Sequence, residues 1–83
     1  MNDKMAEQLQ ILLFGQLAQL AGTDRVMISG VKDTQSLRKD INALYPALQH
    51  IEYAIAVEKK IVNENTAIDI GNTIALLPPF SGG

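Results

Sequence analysis

The sequence predicts an α+β domain in which a mixed sheet of four to five strands carries one main helix on one face. Three observations predict it. Short apolar runs near both ends of the chain alternate with period two, one central stretch repeats at helical spacing, and Gly or Pro punctuates the gaps between them. A length of 83 residues allows a single domain with a small, simple core.

Residues 1–8 are polar, without a period, and are expected to form a disordered lead-in; Met5 is a second candidate start. The domain proper is expected over residues 9–79, followed by a flexible tail over residues 80–83. Leu9 to Gly15 predicts a strand, with Leu9, Ile11 and Leu13 on the core face and Leu12 and Phe14 on the other. Gln16 to Ala21 predicts a short helical turn through Leu17 and Leu20, closed by Gly22. Arg25 to Ser29 predicts a second strand that Gly30 ends; it pairs with the first as an antiparallel hairpin.

Asp33 and Thr34 both offer helix-capping oxygens, and either could be the N-cap. Leu37, Ile41, Leu44 and Tyr45 then recur at helical spacing, giving about three turns before Pro46 stops the helix. Tyr53 to Val57 predicts a third strand, Glu58-Lys59-Lys60 a polar turn, and Ile61-Val62-Asn63 a short return strand. Asn65, Thr66 and Asp69 fall in a surface connection, and Gly71-Asn72 is a turn. Thr73 to Leu77 predicts the last strand, which Pro78-Pro79 ends because proline has no N–H to donate. If the first and last strands are both central, this order gives the β-grasp, or ubiquitin-like, arrangement; order alone leaves other sheets open.

Composition narrows the function. The net charge is −2, the chain has no basic run, and aromatic residues make up only 5%, which argues against nucleic-acid binding. No segment is long and apolar enough to span a bilayer, no signal peptide is evident, and the expected compartment is the cytoplasm. There is no cysteine, so disulfides and Cys-ligated metal are excluded, and any sulfur chemistry must use sulfur from elsewhere. His50 has no nucleophile or acid clustered around it and reads as a surface residue. Asp24-Arg25 and Glu58-Lys59-Lys60 read as solvated turn charges, Asp69 has no carboxylate partner for acid–base work, and no metal-ligand spacing occurs.

The ending Pro78-Pro79-Phe80-Ser81-Gly82-Gly83 is the informative feature. Two prolines stiffen the exit from the sheet, Phe80 adds an apolar anchor, and two glycines leave bare backbone. Four residues span at most ~14 Å. Without Cβ atoms, Gly82 and Gly83 can thread a narrow channel and adopt φ of either sign. A carboxylate is a poor electrophile, but an acyl adenylate at Gly83 would give it a good leaving group, which a sulfur nucleophile could displace. Gly71-Asn72-Thr73 lacks the phosphate-loop pattern, so the activating enzyme must be another protein. Leu12, Phe14 and Leu77, with Pro78 and Pro79, are expected to form an apolar docking face, because one helix covers only one side of a sheet.

The run Leu9-Gln-Ile-Leu-Leu-Phe-Gly-Gln-Leu-Ala-Gln-Leu-Ala-Gly22, with Ala75-Leu-Leu-Pro-Pro-Phe-Ser-Gly-Gly83, resembles the molybdopterin synthase small-subunit (MoaD) family. The resemblance implies a β-grasp fold and a sulfur-carrier role with no enzymatic activity of its own and no bound cofactor. An E1-like adenylyltransferase would use ATP to activate the Gly83 carboxyl, and a sulfurtransferase system would supply the sulfur of a thiocarboxylate. Phe80, Ser81, Gly82 and Gly83 would enter the large subunit of molybdopterin synthase, in a heterotetramer, and sulfur would pass to cyclic pyranopterin monophosphate to build the dithiolene. Carriers for thiamine or cysteine synthesis also end in Gly-Gly, and a ubiquitin-like protein modifier is a further alternative. Two departures stand out: relatives often have Gly-Asp-Glu where this chain has Gly71-Asn72-Thr73, and Asn where it has Glu58.

Overall fold

The first strand forms where the alternation places it. In the computed structural model, which describes residues 8–79, β1 (Leu9–Leu13) buries Leu9, Ile11 and Leu13 and leaves Gln10 exposed. The strand stops at Leu13, two residues before the predicted end. Gly15 sits at φ 58 and ψ −136, a conformation that only glycine adopts readily, and turns the chain into α1 (Gln16–Ala21). Gly22, at φ 78, closes α1 by donating its N–H to the Ala18 carbonyl at 2.9 Å. β2 (Arg25–Ile28) returns antiparallel to β1, with Leu9 opposite Ile28 and Ile11 opposite Val26.

α2 (Thr34–Leu44) settles the choice of cap. The Asp33 carboxylate accepts the Ser36 N–H at 2.9 Å, and hydrogen bonding to Ser36, then to Asn65, holds its pKa below the ordinary value. Thr34 is instead the first helical residue and is buried. It exchanges two hydrogen bonds with Thr66: its N–H donates to the Thr66 carbonyl at 2.9 Å, and its hydroxyl accepts the Thr66 N–H at 3.0 Å. A β-bridge between Asp33 and Ala67 extends this contact, and Ile68 is buried behind it. The connection expected at the surface is therefore anchored to the helix start and contributes one core residue.

Pro46 ends α2, with Tyr45 at φ −130, and opens a 3₁₀ segment over Pro46–His50 that the sequence pattern did not indicate. Its Leu48 is fully buried, while His50 is exposed, in keeping with its reading as a surface residue. Tyr53 precedes β3 (Ala54–Val57) instead of starting it, and is buried. β4 (Lys60–Val62) begins at Lys60, which pairs with Val57, and stops before Asn63. The turn is thus only Glu58-Lys59, both at positive φ (52 and 70), as tight two-residue hairpin turns require. Glu58 offsets part of that strain. One carboxylate oxygen accepts the Thr73 N–H at 2.7 Å and the Asn72 side-chain N–H at 3.3 Å. The two departures from the family pattern, Glu58 and Asn72-Thr73, are therefore contact partners.

β5 (Ile74–Leu77) completes a five-stranded sheet in the order β2-β1-β5-β3-β4. β1 and β5 are parallel at its centre, with Ile11 opposite Ile74 and Leu13 opposite Leu76; the other pairs are antiparallel. The core lies between one sheet face and α2, where Ile11, Ile55, Ile74 and Leu76 meet Leu37 and Ile41. Fully burying side chains of this size stabilises by about 1.5–3 kcal/mol each, which makes this layer the main source of stability.

Candidate functional site: the tail exit and the uncovered sheet face

The opposite face of the sheet carries no helix. Strand register places Ile61, Ala56, Ala75, Leu12 and Arg25 in one row across all five strands. The next row toward the tail holds Ala54 and Leu77, paired directly, with Phe14 level with Leu77 because Leu13 pairs with Leu76. Three alanines make the middle of the face flat. Larger apolar groups flank it, with Phe14 45%, Met27 48% and Ile61 51% exposed. Leu12, Leu77 and Pro78 are half-buried and Pro79 is exposed. The structure thus gathers Leu12, Phe14, Leu77, Pro78 and Pro79 into one neighbourhood. Phe80, Ser81, Gly82 and Gly83 lie outside the described residues.

The exit of the tail is fixed by Gly15. The Phe14 N–H donates to the Leu76 carbonyl at 3.2 Å, carrying the β1–β5 ladder one residue past the strand. The chain then turns at Gly15, where a Cβ would stand 3.0 Å from the Pro78 ring. Pro78 is seated on the one residue that can both take this conformation and leave room for it. On the far side, Pro78 and Pro79 wall a cleft of about 370 Å³ lined also by Arg38, Tyr53, Ala54 and Val62. Tyr53 is tied at both ends: its hydroxyl donates to Asn42 Oδ1 at 2.9 Å, and its carbonyl accepts from Arg38 at 3.4 Å. Burial pushes the Tyr53 hydroxyl above its ordinary pKa, and the Arg38 guanidinium, 4.9 Å from the ring centroid, opposes part of that rise.

Among the described residues no cluster of His, Asp or Glu could hold a metal ion, and no helix is long and apolar enough to cross a membrane. What the site offers is a surface and an aimed chain exit. Comparison with known proteins gives this geometry its context. The ThiS family profile matches residues 11–83. The chain belongs to the ThiS family.

This ThiS-family chain is 35% identical over 81 residues to a Caenorhabditis elegans protein named molybdopterin synthase sulfur carrier subunit, covering 90% of this chain and 96% of that one. It is thus a ubiquitin-like protein of the sulfur-carrier class. Solved structures share the β-grasp fold. A Pyrococcus furiosus protein described as putative molybdopterin converting factor subunit 1 superposes with a TM-score of 0.77 at 20% identity, covering 88% of this chain and 98% of its own. Small archaeal modifier protein 1 of Haloferax volcanii gives 0.77 at 23%, covering 92% and 99%. A Helicobacter pylori complex of subunits 1 and 2 of molybdopterin-converting factor gives 0.68 at 24%, covering 92% and 99%.

Sequence reasoning found the apolar face but not its full extent. Ala54, Ala56 and Ala75 are too small to mark a surface by hydropathy, although their period-two spacing from Ile55, Ile74 and Leu76 carried the information. The role of Gly15 was missed because it depends on Pro78, 63 positions away in the chain.

Proposed function

We propose that this protein is the sulfur-carrier subunit of molybdopterin synthase, with Gly83 as its reactive residue. The observation that carries the reading is the tail exit. Pro78, seated against Gly15, launches the Pro-Pro-Phe-Ser-Gly-Gly ending from the rim of an uncovered apolar sheet face. The 35% identity to a carrier of that name supports the pathway.

On this reading the flat face of Leu12, Phe14, Leu77 and the three alanines docks on a partner, and Phe80 to Gly83 enter its active site. An E1-like adenylyltransferase attaches AMP to the Gly83 carboxyl at the expense of ATP, releasing pyrophosphate. Sulfur supplied by a sulfurtransferase system at the sulfide level, as hydrosulfide, displaces AMP as the leaving group and leaves a thiocarboxylate. The large synthase subunit then directs that sulfur to cyclic pyranopterin monophosphate, and water cleaves the acyl–sulfur bond, supplying the oxygen that returns Gly83 as a carboxylate. A dithiolene has two sulfurs and each carrier brings one, so two loaded carriers serve each product. The contribution of this chain is positioning: the rigid exit and docked face convert an encounter in solution into a held one. It binds no cofactor, acts in the cytoplasm and supplies no catalytic side chain.

Reconstitution tests this. The thiocarboxylated chain and the large synthase subunit from the same organism are expected to convert cyclic pyranopterin monophosphate to molybdopterin. Deleting Gly83, or adding one residue after it, is expected to abolish conversion with the fold unchanged. Full activity of either variant overturns the role of Gly83. Conjugates of Gly83 with lysines of other proteins, in place of pterin conversion, would assign the chain to the protein modifiers.

A further inference from the structure

We propose that Arg38, beside the tail exit, is a docking contact for a carboxylate side chain on the protein that receives the tail. The inference rests on the carrier reading above and adds the polar contact that the apolar face lacks.

The argument starts from how Arg38 is held. An arginine on an exposed helix surface ordinarily samples many rotamers. This one is fixed twice, by its 3.4 Å hydrogen bond to the Tyr53 carbonyl and by stacking 4.9 Å over the Tyr53 ring. Tyr53 is itself buried and pinned through its hydroxyl to Asn42 at 2.9 Å. The guanidinium is therefore pre-organised, and only one of its five N–H donors meets a described acceptor.

Its place in the fold says who meets it. Arg38 lines the cleft whose other wall is Pro78-Pro79, the last described residues before the tail, which places it beside any protein that takes hold of the tail. The available donors form a planar fork that matches a carboxylate in two-point geometry, which an ammonium cannot do. Glu52 also lines the cleft, but no described hydrogen bond fixes its side chain. A pre-placed cation beside an unanchored anion selects a carboxylate as the stronger contact, since less side-chain freedom is lost on pairing.

The test is calorimetric titration of the full chain into the large subunit of molybdopterin synthase from the same organism, at low and high salt. Arg38→Ala is expected to weaken binding about tenfold or more, Arg38→Lys to restore only part of it, and added salt to narrow the difference. Lys39→Ala, one residue along the helix and outside the cleft lining, is expected to bind like wild type. Native amide spectra of each variant establish that the fold survives. If wild type binds and Arg38→Ala binds equally well, or if Arg38→Lys matches wild type at both salts, the carboxylate contact is wrong while the carrier reading stands. If wild type itself fails to bind that subunit, the partner assignment falls and the inference falls with it.

Discussion

Replacing Gly15 with alanine is expected to damage the protein in two separable ways. The backbone at φ 58 and ψ −136 lies where residues with a Cβ are strained, at a cost of about 1–3 kcal/mol. The new Cβ would also stand 3.0 Å from the Pro78 ring, which is tighter than ordinary contact. Relief requires the ring to move by a few tenths of an ångström, so the exit of the tail shifts with it. The combined loss is about 2–4 kcal/mol, of which overpacking contributes about 1 kcal/mol or more. For a domain of this size each kcal/mol lowers Tm by about 4–8 °C, so a fall of about 8 °C or more is expected. Gly22→Ala is the control, because Gly22 also has positive φ (78) but nothing lies within 4 Å of its added Cβ. Thermal unfolding of both variants, paired with titration against the large synthase subunit, separates the effects. Gly15→Ala should lose more stability than Gly22→Ala, and it alone should lose affinity at temperatures where both are folded. Equal losses in both measurements would refute the coupling of Gly15 to the tail exit.

Other expectations follow from the same geometry. Tyr53→Phe removes the 2.9 Å bond to Asn42 and should cost about 1 kcal/mol in urea unfolding. Because the folded-state pKa of Tyr53 is raised, its contribution to stability is complete below the unfolded phenol value of about 10 and is lost as pH rises through the folded value, so wild type and Tyr53→Phe should converge at strongly alkaline pH. Glu58→Ala frees the Thr73 N–H that the carboxylate accepts at 2.7 Å and should lower stability by about 1 kcal/mol, whereas Lys59→Gly at φ 70 should be neutral or stabilising; chemical denaturation compares the two. Ile61→Glu places a charge at an exposed edge of the apolar face and should weaken large-subunit binding about tenfold or more with little change in Tm.

Much of the fold was legible because the sheet writes itself as alternation. Leu9, Ile11 and Leu13 pointed inward as the period required, while the central pairing of the first and last strands, one of several sheets the strand order allowed, is decided by the structure. The parts that were not legible depend on contacts distant in sequence. Nothing local in Asn65-Thr66 says that Thr34 will hold it, and the burial of Leu48 follows from a 3₁₀ segment that Pro46 opens after stopping the helix. The hairpin turn was legible as a polar break, but its two-residue length was not: Glu58-Lys59 lacks the Asn-Gly chemistry that usually announces positive φ, and Glu58 reaches across to Thr73. At the site, the large apolar residues of the uncovered sheet face were readable, but the seat of Pro78 was not, since it arises where Pro78 meets Gly15.

The measurement that bears most directly on the central claim is the intact mass of the protein purified from cells whose sulfur-loading enzymes are active, followed by fragmentation of the C-terminal peptide. The account predicts a species in which one oxygen is replaced by sulfur, with the change confined to Gly83, and its loss when the adenylating enzyme is deleted. Unmodified Gly83 in such cells, or sulfur located on any other residue, would contradict it.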